Sequence, residues 1–274
     1  MRKLNRKHMM TVLMGVVLLT ALSFVSPAMA EETTGAEDTV PAGQETILDQ
    51  QKKQDTKDVR VLVMCGHGQG DVGAVGCNGA YQEYAYTRDF GKRIYEALQE
   101  TDNIEADLYQ MKYDMFQQMR ATVRSVGSFS GNGNKRKQLL KAIGSNVRIP
   151  DLEEYDYALE IHFNATVPSG KDPRGNGVMK GCGIYVNSYK ASSERKIDKK
   201  ILKAMKGCGM KIWGGAGLFG SPDLLNAKAF NELGINYSLL ETCFIDDKDD
   251  MKFYRKHRDE MAQAIADTIS DYFD

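Results

Sequence analysis

Short apolar runs alternate along this chain with longer stretches in which apolar residues recur every three or four positions. Short runs bounded by turn signals are typical of buried strands, and the longer period is typical of amphipathic helices. The strand pattern covers residues 59–65, 104–111, 156–164, 183–187 and 236–243. The helical pattern covers 81–99 and 194–213 and closes with a stripe of Met251, Tyr254, Met261, Ile265, Ile269 and Tyr272. This alternation predicts an α/β layered sandwich with a mostly parallel central sheet flanked by helices.

The start of the chain has a different pattern. Basic residues precede an apolar run over residues 9–25, and Ala28-Met29-Ala30 follows. This predicts that residues 1–30 are a signal peptide cleaved after Ala30. An uncleaved membrane anchor is the alternative, although the run is short against the about 20 residues of a spanning helix. Residues 31–58 are acidic and poor in large apolar side chains, which predicts a disordered acidic tether.

Composition narrows the choice of function for residues 59–274, which suffice for one domain with a sizeable core. The net charge is −1, with Lys and Arg spread among Asp and Glu, so no basic face for nucleic acid is predicted. The five cysteines have irregular spacing, which gives neither a CxxC metal pair nor a dense disulfide frame. We expect most of them to be small buried residues, and one disulfide is the alternative.

Polar side chains follow or end three of the predicted strands. His67 follows the first strand within a glycine-dense loop, His162 lies near the end of the strand over 156–164, and Glu241 lies in the strand over 236–243. The carboxyl ends of strands in such sheets are where ligands bind. Glu83 opens the helix after the first strand and supplies a further carboxylate to the same edge.

Three of these residues also have a plainer explanation. His162 lies on the polar face of a strand whose other face is strictly apolar, yet a single histidine there is also consistent with a hydrogen-bonded structural role. Glu83 shares the apolar stripe of its helix, and an acid in a first turn is stabilised by the helix dipole. Glu241 interrupts an uncharged strand, where a structural salt bridge would also offset the cost of burial.

The combination is more specific than any one of its members. Two histidines and a carboxylate can hold a zinc ion with one position open, and a further carboxylate can move protons. These residues therefore predict a zinc hydrolase site.

Their order and context resemble those of the zinc-dependent N-acetylmuramoyl-L-alanine amidases of the third type, which are bacterial cell-wall hydrolases. The resemblance extends from about residue 60 to the end of the chain, and the matching segments are 66–74, 82–83, 161–165 and 240–244.

The resemblance implies roles for individual residues. His67, Glu83 and His162 would bind one Zn²⁺ per domain, Glu241 would be the catalytic carboxylate, and Asn164 would lie near the substrate. The substrate would be peptidoglycan, cleaved between N-acetylmuramic acid and L-alanine. We therefore expect a secreted, extracellular and cell-wall-associated protein, without membrane attachment after signal cleavage, and we leave open whether a protein regulator binds it.

Two departures from the family pattern stand out. Glu160 occupies a position, two before His162, where a serine is common in the family. It would either tune the metal through a ligand or contact substrate. The family's arginine-containing middle segment is replaced by a stretch rich in glycine and asparagine, which makes residues 113–151 a candidate for a mobile flap or lid near the site, and we leave open whether they form one.

Two other functions fit part of the pattern. One is a zinc peptidase, although the step of sixteen residues from His67 to Glu83 differs from the spacing of common metallopeptidase motifs. The other is a non-catalytic cell-wall-binding or regulatory module of the same fold. Such a module would be expected to lose Glu241 or a metal ligand, whereas this chain has all of them.

Overall fold

A computed structural model describes residues 59–68, 70–76, 79–110, 134, 137, 138, 141, 152–166, 176–187, 195–221 and 224–274. The predicted signal peptide and tether lie outside these residues, as does nearly all of the candidate lid over 113–151. Among the helices described, none has both the length and the apolar character needed to span a membrane.

The described residues form one main sheet with the strand order β4-β1-β5-β8-β6-β7. Neighbours among β4, β1, β5 and β8 are parallel, β6 is antiparallel to β8, and β7 is parallel to β6. A two-stranded antiparallel ribbon, β2 and β3, lies outside this sheet. The strands are β1 (Val59–Cys65), β2 (Val75–Gly76), β3 (Tyr81–Gln82), β4 (Ile104–Tyr109), β5 (Tyr157–Asn164), β6 (Gly183–Asn187), β7 (Leu218–Ser221) and β8 (Asn236–Phe244).

Helices cover both faces of the main sheet, as expected for parallel strands that are apolar on both sides. The first face packs against three helices: α1 (Glu83–Gln99), α2 (Lys196–Gly207) and α4 (Lys248–Phe273). The second face packs against α3 (Leu225–Leu233), whose Phe230 stacks on Tyr237 at 5.2 Å between ring centroids. The predicted layered α/β architecture with a mostly parallel central sheet is therefore confirmed.

Two details differ from the predictions. The helix predicted over 194–213 ends at Gly207, because the chain turns through Gly209 at φ 96° and then runs beside β6, where Trp213 N–H donates to Cys182 O. Strand β7 and helix α3 were not predicted, since both are short. The four described cysteines agree with the expectation of small buried residues: Cys65, Cys182 and Cys243 are buried, Cys208 is half-buried, and no disulfide joins these four.

Alternation along β5 is as predicted. Tyr157, Leu159, Ile161 and Phe163 belong to the core of the first face, whereas Ala158 belongs to that of the second. Because side chains alternate along a strand, Glu160, His162 and Asn164 share the second face with Ala158. The structure thus turns the polar side of β5 toward the second face of the sheet.

Candidate active site

The carboxyl ends of β1, β5 and β8 meet at one edge of the sheet. His67 follows β1, His162 lies near the end of β5, and Glu241 lies opposite His162 in the parallel register of β8. Helix α1 starts at this edge, where the backbone N–H groups of Glu83 and Tyr84 donate to Ala74 O and Val72 O. The structure therefore brings together the four side chains selected from the sequence.

His67, Glu83 and His162 form a compact cluster. Glu83 Oε2 lies 3.0 Å from His67 Nε2, and Glu83 Oε1 lies 2.9 Å from His162 Nδ1. The two imidazole rings are edge-on, with centroids 4.9 Å apart. Ligands about 2.0 Å from a tetrahedral zinc ion are about 3.3 Å apart, so these donor atoms are close to the spacing that zinc needs. This group could hold a metal ion.

The Glu83 carboxylate is fixed by the backbone as well as by the imidazoles. Ala74 N–H donates to Oε2 at 2.7 Å, and Phe163 N–H donates to Oε1 at 2.9 Å. Burial alone would raise the pKa of Glu83, but the hydrogen bonds from His162 and His67 hold that pKa well below its usual range. Glu83 is therefore an ionised carboxylate in a fixed position.

A second carboxylate faces the far nitrogen of each imidazole. Asp71 Oδ2 lies 3.2 Å from His67 Nδ1, and Glu160 Oε1 lies 3.0 Å from His162 Nε2. Such outer carboxylates set the tautomer and orientation of histidines that bind metals. The arrangement leaves His67 Nε2 and His162 Nδ1 facing the same carboxylate, that of Glu83.

Glu160 is buried and is itself held by neutral donors. Asn226 Nδ2 donates to Oε2 at 2.8 Å, and the Tyr237 hydroxyl donates to the same oxygen. Burial would raise the pKa of Glu160, but the hydrogen bonds from His162, Tyr237 and Asn226 lower it. Its contacts are thus with a candidate ligand and with the second face of the core.

The backbone at His67 has a conformation that few non-glycine residues adopt. Its φ of 60° lies in the left-handed region, which is uncommon for a side chain other than asparagine, aspartate or histidine. Helix α1 holds this turn: Thr87 Oγ1 donates to Gly66 O at 2.8 Å, and Arg88 Nη2 donates to His67 O at 3.3 Å. Unusual backbone geometry of this kind concentrates at functional sites.

Two glycines make room for the cluster. A Cβ atom on Gly66 would lie 2.4 Å from Cε1 of His162, and one on Gly73 would lie 2.5 Å from Oε2 of Glu83. Gly73 also has a positive φ of 68°. These positions explain part of the glycine density of the loop, because any side chain there would displace a candidate ligand.

Glu241 differs from the other acids of the site. Its Oε2 atom is buried and has no hydrogen-bond partner within the part of the chain that the structure describes. Burial raises the pKa of Glu241 to about 7, with His162 opposing the rise and Glu83 adding to it. A carboxyl group with a pKa near neutrality can both accept and donate a proton under physiological conditions.

Comparison with known proteins places these residues in a family context. The sequence profile of the N-acetylmuramoyl-L-alanine amidase family matches residues 61–271, which include every residue of the site described above. The chain belongs to this family. A curated relative, probable autolysin PH of Staphylococcus aureus, is 29% identical over 216 residues, covering 78% of this chain. This chain spans 38% of the length of that relative.

Solved structures of amidases share the fold. The N-acetylmuramoyl-L-alanine amidase of Clostridium difficile 630 aligns with a TM-score of 0.54 at 14% identity, covering 78% of this chain and 96% of that one. The catalytic domain of CwlV, from Bacillus (Paenibacillus) polymyxa var. colistinus, aligns with a TM-score of 0.52 at 18% identity, covering 79% and 98%. At these identities the likeness establishes the α/β architecture of the amidase family.

Asn164 lies at the carboxyl end of β5, as predicted, and its Oδ1 atom accepts the N–H of Ala165 at 2.8 Å. Sequence reasoning missed the residues that hold the site from outside: Asp71, Thr87, Asn226 and Tyr237. Asp71 lies four residues after His67 in the same loop, which was an available signal. Asn226 lies 66 residues from its partner Glu160, so no local pattern could have indicated it.

Proposed function

We propose that residues 59–274 form the catalytic domain of a zinc-dependent N-acetylmuramoyl-L-alanine amidase, which cleaves the amide between N-acetylmuramic acid and L-alanine in peptidoglycan. The observation that carries this proposal is the convergence of His67 Nε2 and His162 Nδ1 on the Glu83 carboxylate, with an outer carboxylate behind each ring. We infer the substrate from the family to which the chain belongs.

One Zn²⁺ ion, held by His67, Glu83 and His162, is the cofactor that this donor set fits best. Two imidazoles and one carboxylate are typical zinc ligands in hydrolases that keep a position open. When bound, zinc supplies a Lewis acid that lowers the pKa of water and stabilises negative charge on the carbonyl oxygen. The fixed Glu83 carboxylate and the carboxylates behind both rings reduce the reorganisation that binding requires.

Glu241 is the proposed catalytic acid and base. It takes a proton from the water that attacks the amide carbonyl carbon, and it gives that proton to the nitrogen as the C–N bond breaks. The products are the carboxylate of the muramoyl lactyl group and the free amino group of L-alanine. Burial raises the pKa of Glu241 above the usual range of a carboxyl group, which makes its carboxylate a stronger base in the first step.

Two further residues have supporting roles in this proposal. Glu160 is a positioning residue that acts through His162, since its remaining oxygen is taken up by Asn226 and Tyr237 rather than facing solvent. Asn164 ends the strand that carries His162 and contacts substrate near the reacting amide.

The proposal also includes export of the protein from the cell. We assign residues 1–30 to a signal peptide and residues 31–58 to a tether, which would release a secreted protein that acts at the cell wall, where peptidoglycan lies. The relative in Staphylococcus aureus is called a probable autolysin, which is consistent with action on the cell wall.

The test measures dye release from labelled cell walls by residues 31–274. The protein is treated with a chelator and assayed before and after zinc is restored, beside Glu241→Gln, and the new amino termini are identified. We expect zinc-restored release that exposes L-alanine, with the rate in Glu241→Gln lower by about 10²- to 10⁴-fold because general acid–base catalysis is lost.

Each other outcome identifies a different function. Binding of zinc and cell walls without release would indicate a regulatory or wall-binding module. New amino termini at residues other than L-alanine would indicate a peptidase. Full release by Glu241→Gln would remove Glu241 from the mechanism while leaving the amidase intact.

A further inference from the structure

Three aromatic side chains form a continuous surface on β6, β7 and the loop before β7. Trp213 and Phe219 have ring centroids 4.1 Å apart, and Tyr185 lies 5.4 Å from Phe219 and 6.0 Å from Trp213. All three rings are half-buried, so each keeps part of its surface accessible. We call Tyr185, Trp213 and Phe219 the aromatic wall.

The aromatic wall stands on the same face of the sheet as Glu241. Gly183 is the cross-strand partner of Glu241 in the antiparallel pair of β6 and β8. Residues directly opposite each other in such a pair point to the same side. A Cβ atom on Gly183 would lie 3.0 Å from Phe219 Cε2 and 3.1 Å from Trp213 Cε3, so both rings lie over the position beside Glu241.

Tyr185 is two residues along β6 from Gly183 and therefore on this face as well. Burial raises the pKa of the Tyr185 hydroxyl, and the charge of Glu241 adds to the rise, as expected for neighbouring groups. The wall thus begins next to the proposed catalytic carboxylate.

The wall is rigid, because backbone hydrogen bonds fix the loop that carries Trp213. Trp213 N–H donates to Cys182 O at 2.9 Å, Gly217 N–H donates to Trp213 O at 3.0 Å, and Ile184 N–H donates to Gly217 O at 2.7 Å. These hydrogen bonds make the wall a preformed surface.

The chemistry of this face favours an uncharged ring as the ligand. Aromatic faces are electron-rich and attract the C–H hydrogens on the face of a pyranose ring, which carry partial positive charge. A peptide stem carries charged groups, and these would lose their water against half-buried apolar rings without gaining a partner. Of the two halves of the substrate, the glycan is the one that suits the wall.

We propose that the aromatic wall is a sugar-binding subsite that stacks on a pyranose ring of the glycan strand and so presents the muramoyl side of the amide to Glu241. This inference rests on the proposed amidase function and adds to it the surface that recognises the sugar half of the substrate.

Trp213 allows a direct test, because it is the only tryptophan in the sequence. Its fluorescence is titrated with a peptide-free disaccharide of N-acetylglucosamine and N-acetylmuramic acid whose lactyl carboxyl is blocked as an amide, and separately with a free stem peptide that has no sugar. We expect a saturable change with the disaccharide and none with the peptide.

Substitutions of Tyr185 and Phe219 test whether the disaccharide binds at the aromatic wall. Tyr185→Leu and Phe219→Leu keep apolar volume but remove a stacking face, and each is expected to weaken disaccharide binding about tenfold. Phe253→Leu, a half-buried aromatic on α4, is the matched control and should bind like the wild type. Circular dichroism of each variant establishes that it is folded.

An unchanged Trp213 signal at millimolar disaccharide would overturn the proposal, as would a change produced by the peptide alone. Wild-type disaccharide affinity in both folded variants would do the same. Cell-wall release is measured on the same preparations, so the two proposals fail separately. Zinc-dependent release without a disaccharide response overturns only the sugar subsite, whereas a disaccharide response without release overturns only the amidase.

Discussion

Two of the acids on helix α1, Glu83 and Asp89, lie in opposite electrostatic surroundings. Glu83, in its first turn, faces His67 and His162, and further carboxylates lie behind both rings. Asp89, six residues later, receives hydrogen bonds from Tyr254, Arg93 and Arg258 at 2.7–3.1 Å. The cluster around Asp89 joins α1 to α4. In it Asp89 is paired with the guanidinium groups of Arg93 and Arg258.

Both acids have a lowered pKa, so a shifted pKa alone does not distinguish a site from a structural ion pair. Burial opposes the shift in each, and hydrogen-bonded partners outweigh it: imidazoles for Glu83, and Tyr254 and Arg93 for Asp89. What differs is the balance of charge. The edge of the sheet gathers four acids around two imidazoles, a surplus that suits a divalent cation, whereas in the Asp89 cluster two arginines face two acids, Asp89 and Asp259.

The substitution His67→Asn should separate the two clusters most sharply. Asparagine tolerates the left-handed backbone at this position, so the fold should survive while the imidazole donor is lost. We expect zinc-restored cell-wall release to fall at least about 100-fold. Zinc at a thousand times its Kd should stabilise the wild type by about 4 kcal/mol and the variant far less, measured by thermal unfolding with and without zinc.

Asp89→Asn is the matched control for this measurement, since it changes an acid on the same helix that does not face the imidazoles. Its stabilisation by zinc should equal that of the wild type. If zinc stabilised His67→Asn as much as the wild type, His67 would not be a zinc ligand. The contrast between the Glu83 cluster and the Asp89 cluster would then be weaker.

Glu160→Gln should have a smaller effect on the same property. The amide cannot supply the negative charge that now faces His162 Nε2, so zinc affinity should fall about 10- to 100-fold. Competition with a chelator measures this affinity, and Glu96→Gln, an exposed acid of α1, serves as the control. Unchanged zinc affinity with a raised KM would show instead that Glu160 contacts substrate.

The sequence predicted the centre of the site better than its surroundings. His162 and Glu241 were found because strand alternation and an interrupted apolar run are local patterns, and Glu83 because it shares a helical stripe with Phe90 and Ile94. The carboxyl ends of parallel strands then bring such residues together, which follows from the fold class alone.

The supports of the site depend on contacts that no local pattern encodes. Asn226 and Tyr237 reach Glu160 across 66 and 77 residues, and Thr87 holds Gly66 O from the buried face of α1. The turn with the positive φ of His67 is held by hydrogen bonds from Thr87 and Arg88, about twenty residues along the chain. The aromatic wall was missed for the same reason, because Tyr185 and Phe219 become neighbours only through the register of β6 and β7.

We expect the smallest effect from a substitution in the cluster around Asp89. Asp89→Asn should lower the free energy of unfolding by about 1 kcal/mol at pH 7, a modest value because solvent screens these partly exposed groups. The pKa of Asp89 is lowered in the folded state, so its contribution is present above the unfolded value of about 3.9 and is lost as pH falls. Urea unfolding of both proteins at pH 7, 5 and 3.5 should therefore show a difference that shrinks at the lowest pH.

Asp89→Asn should lower stability but leave catalysis unchanged. Zinc-restored release per folded molecule should be unchanged in Asp89→Asn within about twofold, because the substitution alters the junction of α1 with α4 and leaves the four acids at the sheet edge in place. A loss of release without a loss of stability would mean that Asp89 helps to orient the first turn of α1. Glu83 and Asp89 would then act together. The distinction between a structural cluster around Asp89 and a candidate active site around Glu83 would no longer hold.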